Sequence, residues 1–399
     1  MSNWTIVVLP GDGIGKVVLA EAIRVLDAVG FNAEYVLGDI GWEFWRSEGN
    51  ALPQRTLDLI SEHKVALFGA ITSKPKVDAQ KELSPELVKQ NLIYSSPIVG
   101  LRQYFGLDIC LRPCRSYKGN PLNFIRRGRG EIIEEPAIDV AIFRQNTEGL
   151  YGGVEWRDPP DDVYAAFFSH PAFRKNFGNV PKEELAISSR IFTRKATQRI
   201  LGAAFEYARK RNYASVTLCE KPNVIRETSG MMYEMAKKLQ VETYPEIELW
   251  NTNIDAQMMW LTKNPEDYGV IVAGNMFGDI VSDGFAGLIG GLGFASSAQF
   301  NPDTGVAVFE PTHGSAPKYA DFQTPIVNPI AMIESSCMML EHLGEEEKAT
   351  HIRQAIARVI AAGKVRTYDM SKLAGSEDVL QQGASSTSEM TDAIISSLP

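Results

Sequence analysis

Tyr268-Gly269-Val270-Ile271-Val272-Ala273 is an apolar run that passes directly into Gly274-Asn275-Met276-Phe277-Gly278-Asp279-Ile280-Val281-Ser282-Asp283. The run reads as a buried strand, and the apolar spacing after it as the start of a helix. Asp279 and Asp283 are then four apart on one face of the helix's first turn, at the end of a sheet strand, where α/β proteins place ligands. Two like charges so placed repel unless a cation joins them, and aspartate oxygens are what Mg²⁺ or Mn²⁺ prefers. The same two acids also suit the positive end of a helix dipole with no metal at all. A third acid, Asp255 in Asn253-Ile254-Asp255-Ala256, completes a metal site if the fold brings it near.

Strand followed by helix recurs outward from this unit. Residues 5–10 read as a strand, Gly11-Asp12-Gly13-Ile14-Gly15 as a turn and 17–28 as an amphipathic helix. Further strands are expected at 33–37, 65–71, 139–143 and 215–219, with helices at 52–63 and 195–211. The last hundred residues read as mostly helical, ending in a helix with the capping box Ser386-Thr387-Ser388-Glu389. Such alternation predicts an α/β domain with a largely parallel sheet. From about 149 to 185 the pattern breaks down. Pro159-Pro160, His170-Pro171 and Gly178 interrupt aromatic pairs such as Phe167-Phe168, as in an inserted segment that packs against something else, a second subunit for instance.

The 399 residues allow two to three domains, and 44% hydrophobic with 22% charged residues is a folded, globular composition. Forty basic against forty-nine acidic residues leave a net charge of -9, which repels nucleic acid and anionic membranes, so an anionic ligand needs a local basic pocket. No apolar stretch reaches the roughly 18 residues of a membrane span, and the first residues run straight into a strand, so a cytoplasmic protein is expected. Cys110, Cys114, Cys219 and Cys337 are too sparse for a disulfide framework and lack the second pair of a zinc site.

Arginines form a second constellation: Arg102, Arg112 and Arg115, and Arg144 after the strand at 139–143. Arg112 and Arg144 end apolar stretches, where an unpaired guanidinium is costly unless it meets carboxylates, either of a polyanionic substrate or of neighbours such as Glu148. A third constellation is Glu310-Pro311 with His313-Gly314-Ser315-Ala316-Pro317-Lys318-Tyr319, a glycine-containing loop whose backbone donors suit phosphate. The Gly11 to Gly15 turn lacks the G-x-G-x-x-G spacing of a Rossmann fingerprint. Tyr151 and Lys221, both at strand ends, are either proton-transfer groups in a desolvated pocket or ordinary surface side chains.

Together, the strings from Pro10-Gly11-Asp12-Gly13-Ile14-Gly15 through Gly274 to Asp283 and on to Thr367-Tyr368-Asp369 resemble the β-decarboxylating dehydrogenases, the family of isocitrate, isopropylmalate, homoisocitrate and tartrate dehydrogenases. The resemblance implies a doubly wound α/β/α subunit of two domains. The large one is expected at 1–107 plus 290–399 and the small one at 108–289, with 149–190 as a clasp that interlocks two subunits into a homodimer with shared active sites. Catalytic roles fall to Tyr151 and Lys221, substrate contacts to Ser96, Arg102, Arg112, Arg144 and Asn223, and Mg²⁺ or Mn²⁺ to Asp255, Asp279 and Asp283. Lys221 and Asp255 are expected to reach across from the partner subunit. A nicotinamide cofactor is expected at Thr72, His313, Gly314, Ser315, Ala316, Lys318, Tyr319, Asn328, Tyr368 and Lys372.

NAD-using members carry an acidic residue and an isoleucine where this chain has Lys318 and Tyr319, and NADP-linked isocitrate enzymes a tyrosine and an arginine at Tyr368 and Lys372, so the resemblance favours NADP, with NAD as the alternative. The substrate it implies is a small hydroxy-tricarboxylate. Ser96 matches the serine that meets the distal carboxylate in isocitrate enzymes, but Ile98 replaces their asparagine, and Ile98 with Val99 suits homoisocitrate or isopropylmalate enzymes. Ile109 to Pro113, Phe143 to Glu148 and Ala316 to Tyr319 look most like isocitrate enzymes. Some relatives are non-catalytic regulatory subunits, which usually lose the tyrosine, the lysine or a metal aspartate; this chain keeps Tyr151, Lys221 and all three acids.

Overall fold

The computed structural model describes residues 4–128 and 132–399, so the first three residues of the expected large domain lie outside it. The strands of its main sheet are β1 (Trp4–Gly11), β2 (Ala33–Leu37), β3 (Val65–Ala70), β4 (Ile109–Arg115), β5 (Asp139–Gln145), β6 (Ser215–Glu220), β7 (Glu248–Asn253), β8 (Val270–Ala273), β9 (Ser296–Asn301) and β10 (Val306–Pro311). The principal helices are α1 (Gly15–Ala28), α2 (Gln54–His63), α3 (Pro97–Tyr104), α4 (Arg194–Arg211), α5 (Ile254–Trp260), α6 (Asn275–Leu288), α7 (Ile330–His342), α8 (Glu346–Ala362) and α9 (Thr387–Ser396).

Among the described residues the ten strands form one sheet in the order β7-β6-β8-β5-β4-β9-β10-β3-β1-β2. Pairing is parallel within β7-β6-β8-β5 and within β10-β3-β1-β2. Strands β4 and β9 pair antiparallel with each other and with their outer neighbours β5 and β10. The sheet is therefore largely parallel, as the alternation predicts, in two parallel blocks joined by antiparallel strands that the alternation does not predict. The last hundred residues are likewise less helical than expected: they open with the β9–β10 hairpin, closed by a turn at 302–305, and a hairpin pairs antiparallel by construction.

Residues opposite each other in register share a face of the sheet. Val8, Leu67, Phe309, Ala298, Leu111 and Phe143 line one face, against α1, α4 and α7. Val308, Gln299, Cys110 and Arg144 line the other, on the side of α2, α3 and α6. This is the expected α/β/α arrangement. Helix α1 shows why these segments are helical: Val18, Leu19, Ala22, Val25 and Leu26 recur at helical spacing and are buried. Helix α4 starts where the Thr193 side chain accepts from the Ala196 N–H and stops at Asn212, left-handed at φ 57°. The capping box of α9 forms as read.

The irregular segment is more ordered than its pattern predicts. Glu155–Arg157 pairs antiparallel with Ala186–Ser188, and between them lie two short helices, Asp161–Ser169 and Pro171–Phe177, whose rings at Tyr164, Phe167, Phe168, Phe173 and Phe177 pack on one another. Pro171 breaks the run into pieces too short to show a helical period. No helix among the described residues is long and apolar enough to cross a membrane.

Candidate active site

Arg112 on β4 and Arg144 on β5 project from the central strands toward α6. Both are buried, Arg144 to 2% exposure, and both meet the α6 carboxylates. Arg112 Nη1 donates to Asp279 Oδ1 at 3.1 Å, to Ser282 Oγ at 2.8 Å and to Asp283 Oδ1 at 3.2 Å. Arg144 donates through Nε to Asn275 Oδ1 at 3.0 Å and through Nη1 to Asp279. Burial, helped by the neighbouring charge of Arg112, lowers the Arg144 guanidinium to about 10, so it keeps its charge at neutral pH. Glu148, the alternative partner considered for these arginines, instead accepts from the backbone and side chain of Thr193.

Helix α6 begins at Asn275, so neither aspartate lies in its first turn and the helix-dipole account of them does not apply. Asp283 is partly buried, which raises its carboxyl above the ordinary value. Tyr151 donates to Asp279 Oδ2 at 3.1 Å, and its ring lies 5.4 Å from the Arg144 guanidinium. Partial burial, together with the Asp279 charge, holds its phenol above the usual value, and the group keeps its proton at neutral pH. Lys221, just past β6, pairs with Asp255, at the start of α5, whose carboxyl that hydrogen bond lowers. Among the described residues, no three or more His, Cys, Asp or Glu converge on one point, because Asp255 is held by Lys221 and not beside Asp279 and Asp283. The chain thus presents two separate clusters, Arg112-Arg144-Tyr151-Asp279-Asp283 and Lys221-Asp255. The hard oxygens of Asp279 and Asp283 suit Mg²⁺ or Mn²⁺.

Beside the first cluster is a cavity of about 190 Å³ whose lining includes Ser96, Ile98, Arg102, Arg112, Glu310 and His313. Ser96 immediately precedes α3, which carries Ile98 and Arg102. Arg102 Nε donates to Gln299 Oε1 at 2.6 Å and its Nη2 lies 3.6 Å from Glu310. Three buried polar atoms on this lining, Arg112 Nε, Thr312 Oγ1 and His313 Nε2, have no protein partner. Buried donors left so are satisfied by a ligand or by water, and the arginines select an anion. Asn223 is exposed just beyond Lys221.

His313 and Gly314 also line a second, adjoining cavity of about 500 Å³, with Ala316, Tyr319, Asn328 and Tyr368. Asn328 donates to Asp369 at 3.1 Å and caps α7 by accepting the Ile330 N–H at 3.0 Å. The rings of Tyr319 and Tyr368 lie 5.4 Å apart, and Lys318 Nζ sits 4.5 Å from the Tyr319 ring. Lys318 and Lys372 are exposed at the rim and do not line the cavity. Thr72 and Ser315 share a 2.7 Å hydrogen bond behind the loop. The Gly11 to Gly15 turn is bonded to the backbone on both sides of that contact. The Asp12 carboxylate accepts the N–H groups of Thr72 at 2.8 Å and Trp42 at 2.7 Å, and Ile14 N–H donates to Ser315 O at 2.9 Å. Gly13 has φ +55°, and a Cβ there would lie 2.1 Å from Ser315 O.

Three polar residues at the site, Gln299, Asn146 and Asn275, escape sequence reasoning. Gln299 and Asn146 form a buried chain with Glu310, Asn146 donating to Gln299 at 2.7 Å and Gln299 to Glu310. Burial raises the Glu310 carboxyl, against the pull of Arg102. Asn275 orients Arg144. The one local signal available was Glu310-Pro311 ahead of the loop.

The sequence model described as isocitrate/isopropylmalate dehydrogenase matches residues 5–394. The chain is 38% identical over 392 residues to protein DlpA of Legionella pneumophila, covering 98% of this chain but 58% of that protein's length. It is 38% identical over 358 residues to a homoisocitrate dehydrogenase of Methanocaldococcus jannaschii, covering 90% of each. The crystal structure of an isocitrate dehydrogenase from Methylococcus capsulatus superposes with a TM-score of 0.80 at 32% identity, covering 99% of both chains.

Proposed function

Because the chain belongs to the isocitrate/isopropylmalate dehydrogenase family, we propose that it oxidatively decarboxylates a 3-substituted malate, with isocitrate as substrate, 2-oxoglutarate as product, NADP as oxidant and Mg²⁺ or Mn²⁺ as cofactor. The observation that carries this reading is the convergence of Arg102 and Arg112 on the 190 Å³ cavity, beside Arg144 and the Tyr151 hydroxyl 3.1 Å from Asp279. Charge-assisted forks at buried arginines hold the substrate carboxylates. Ser96, on the cavity wall, faces the distal carboxylate.

Asp279 and Asp283, joined by Asp255 of a second copy, hold the divalent ion. When bound, the ion supplies positive charge where negative charge develops, and the nicotinamide accepts the hydride. The Lys221–Asp255 pair moves the hydroxyl proton. Tyr151, protonated at neutral pH, delivers a proton to the carbon left by CO₂. Arg112 and Arg144 keep the substrate in register through both steps. The two separate clusters in one chain support a homodimer in which each site takes Lys221 and Asp255 from the other subunit. They also fit a small domain at 108–289 inserted between the two parts of a large one, with the 149–190 segment as the clasp. His313, Gly314, Ser315, Ala316, Tyr319, Asn328, Tyr368 and Thr72 surround the cofactor, while Lys318 and Lys372 at the rim favour the extra phosphate of NADP over NAD.

One observation favours a second substrate. Ile98 shares the cavity wall with Ser96, an apolar surface for the longer chain of homoisocitrate. Formation of reduced nicotinamide by the purified protein with Mg²⁺ tests the proposal, comparing isocitrate, homoisocitrate and isopropylmalate, each with NADP and NAD. Turnover of isocitrate with NADP at the highest kcat/KM is expected. A higher value for homoisocitrate makes Ile98 the determinant, and no turnover of any pair overturns the dehydrogenase reading.

A further inference from the structure

Glu220, the last residue of β6, is fully buried and its carboxylate is saturated by protein donors. Oε1 accepts the Gly274 N–H at 2.8 Å and Arg190 Nη2 at 2.9 Å; Oε2 accepts Ser229 Oγ at 2.6 Å and Arg190 Nη2 at 2.8 Å. Arg190 is held in turn by Thr228 and Ser229, both at 2.9 Å, and lies between the rings of Phe192 and Phe277, 4.4 Å and 5.1 Å away. No oxygen is left for a substrate. A buried ion pair adds little net stability against an apolar substitute, but its geometry fixes one arrangement of the segments that meet there.

Three segments meet at this carboxylate. One is the end of β6, whose next residue is Lys221. The second is the N-terminus of α6, where Gly274 precedes the helix of Asp279 and Asp283; a Cβ on Gly274 would lie 2.6 Å from Glu220 Oε1, so only glycine admits the contact. The third is the return of the irregular segment, where Ile191 beside Arg190 bridges to Gly149, two residues from Tyr151, with Gly149 N–H donating to Ile191 O at 2.9 Å. We propose that Glu220 is a positioning residue that locks the two half-sites of one chain, Lys221-Asp255 and Tyr151-Asp279-Asp283, into a single rigid unit, so that one Glu220 governs both active sites of the dimer. The inference rests on the proposed sharing of Lys221 between subunits. A shift of about 1 Å in such a support costs up to about 10²-fold in rate, and a smaller one proportionately less.

The test uses hybrid dimers purified through a different tag on each subunit. Glu220→Asp keeps the charge opposite Arg190 and withdraws the carboxylate from Gly274 by one methylene, and recovery through both tags selects folded, assembled protein. A K221M/Y151F hybrid is expected to retain about half of the wild-type kcat, since with shared sites both defects fall in one site and the other keeps its tyrosine and its lysine. The wild-type/E220D hybrid is expected to fall to about a tenth, with KM for the substrate within about threefold, since each site contains one displaced half. Ser229→Ala, which removes one donor and leaves the ion pair, is expected to give the same pattern with a smaller loss. A wild-type/E220D hybrid at half activity or more overturns the coupling. A K221M/Y151F hybrid with no activity beyond that of the two single-variant homodimers overturns the shared site on which the coupling rests.

Discussion

The Tyr151 hydroxyl donates to Asp279 Oδ2 at 3.1 Å, so the proposed proton donor of the reaction rests on a proposed metal ligand. One carboxylate thereby ties the position of the acid to the position of the bound ion, and Arg112 and Arg144 on its other oxygen complete the frame.

Replacing Tyr151 by Phe removes the donated proton while leaving the ring over Arg144. Turnover is expected to fall by about 10²-fold or more with the fold unchanged, measured by steady-state kinetics and thermal unfolding. Because burial and the Asp279 charge hold the phenol above its ordinary value of 10.0, any alkaline loss of kcat due to this group is displaced to higher pH than a free phenol would give. Near-normal turnover by Y151F removes Tyr151 from the role.

Arg112→Lys keeps the charge and loses the fork that spans Asp279, Ser282 and Asp283. The KM for the hydroxy acid is expected to rise about tenfold or more while the KM for the cofactor changes little. An equal rise in both would place Arg112 in general packing instead of carboxylate binding.

Lys318→Asp puts a negative charge at the rim of the 500 Å³ cavity. The ratio of kcat/KM for NADP to that for NAD is expected to drop about tenfold or more, since an acid there repels the 2′-phosphate and accepts from the ribose. An unchanged ratio rules out Lys318 as a source of the preference.

On the face of the sheet away from the site, Glu341 of α7 accepts from Arg211 of α4 at 2.8 Å and from Arg353 of α8 at 2.6 Å. Burial works against its charge, but Arg353 and then Arg211 outweigh it and hold the carboxyl below its ordinary 4.5. A carboxyl with a lowered folded value contributes its full stability above 4.5 and loses it as pH falls through the folded value. Glu341→Gln is therefore expected to cost about 2 kcal/mol at pH 7, and the gap to wild type, followed by chemical unfolding, to shrink as pH drops below about 4.5. A gap constant with pH would mean that packing, not charge, makes the difference.

Gly13→Ala meets Ser315 O in a left-handed turn and has nowhere to go. It is expected to lose about 2 kcal/mol of stability or more and to raise the KM for the cofactor, because the Thr72–Ser315 hydrogen bond is built on that turn. Wild-type values for both quantities would show that the loop relaxes freely.

What could be read from the sequence was whatever is written in neighbouring residues. Strand β8 and helix α6 declare themselves because the apolar run and the helical spacing adjoin, and the α9 capping box spans only four residues. The hairpin β9–β10 does not. Its first strand opens Ser296-Ser297-Ala298-Gln299, three polar residues and an alanine, all buried, of which Ser297 and Gln299 bond to distant partners, so it lacks a strand's apolar signature. Gln299 illustrates the limit: its partners Arg102 and Asn146 lie 197 and 153 residues away, and no local pattern encodes such a meeting. Arg112, Arg144, Asp279 and Asp283 were conspicuous as charges in apolar settings, whereas Glu220 and Arg190 satisfy each other and left no trace. The separation of Asp255 from Asp279 is likewise a property of chain path, invisible in residue type.

The pairing of β3 with β10, and the packing of α1 under α7 and α9, have a consequence for synthesis. The apolar stripe of α1 leaves the ribosome early, but the helices that cover it are encoded at 330–342 and 387–396. At about 5–20 residues per second, that stripe waits roughly 20–75 s for its full cover. Until those helices are made, the nascent chain carries an uncovered apolar stripe, a surface open to aggregation or chaperone binding before the finished fold can hide it.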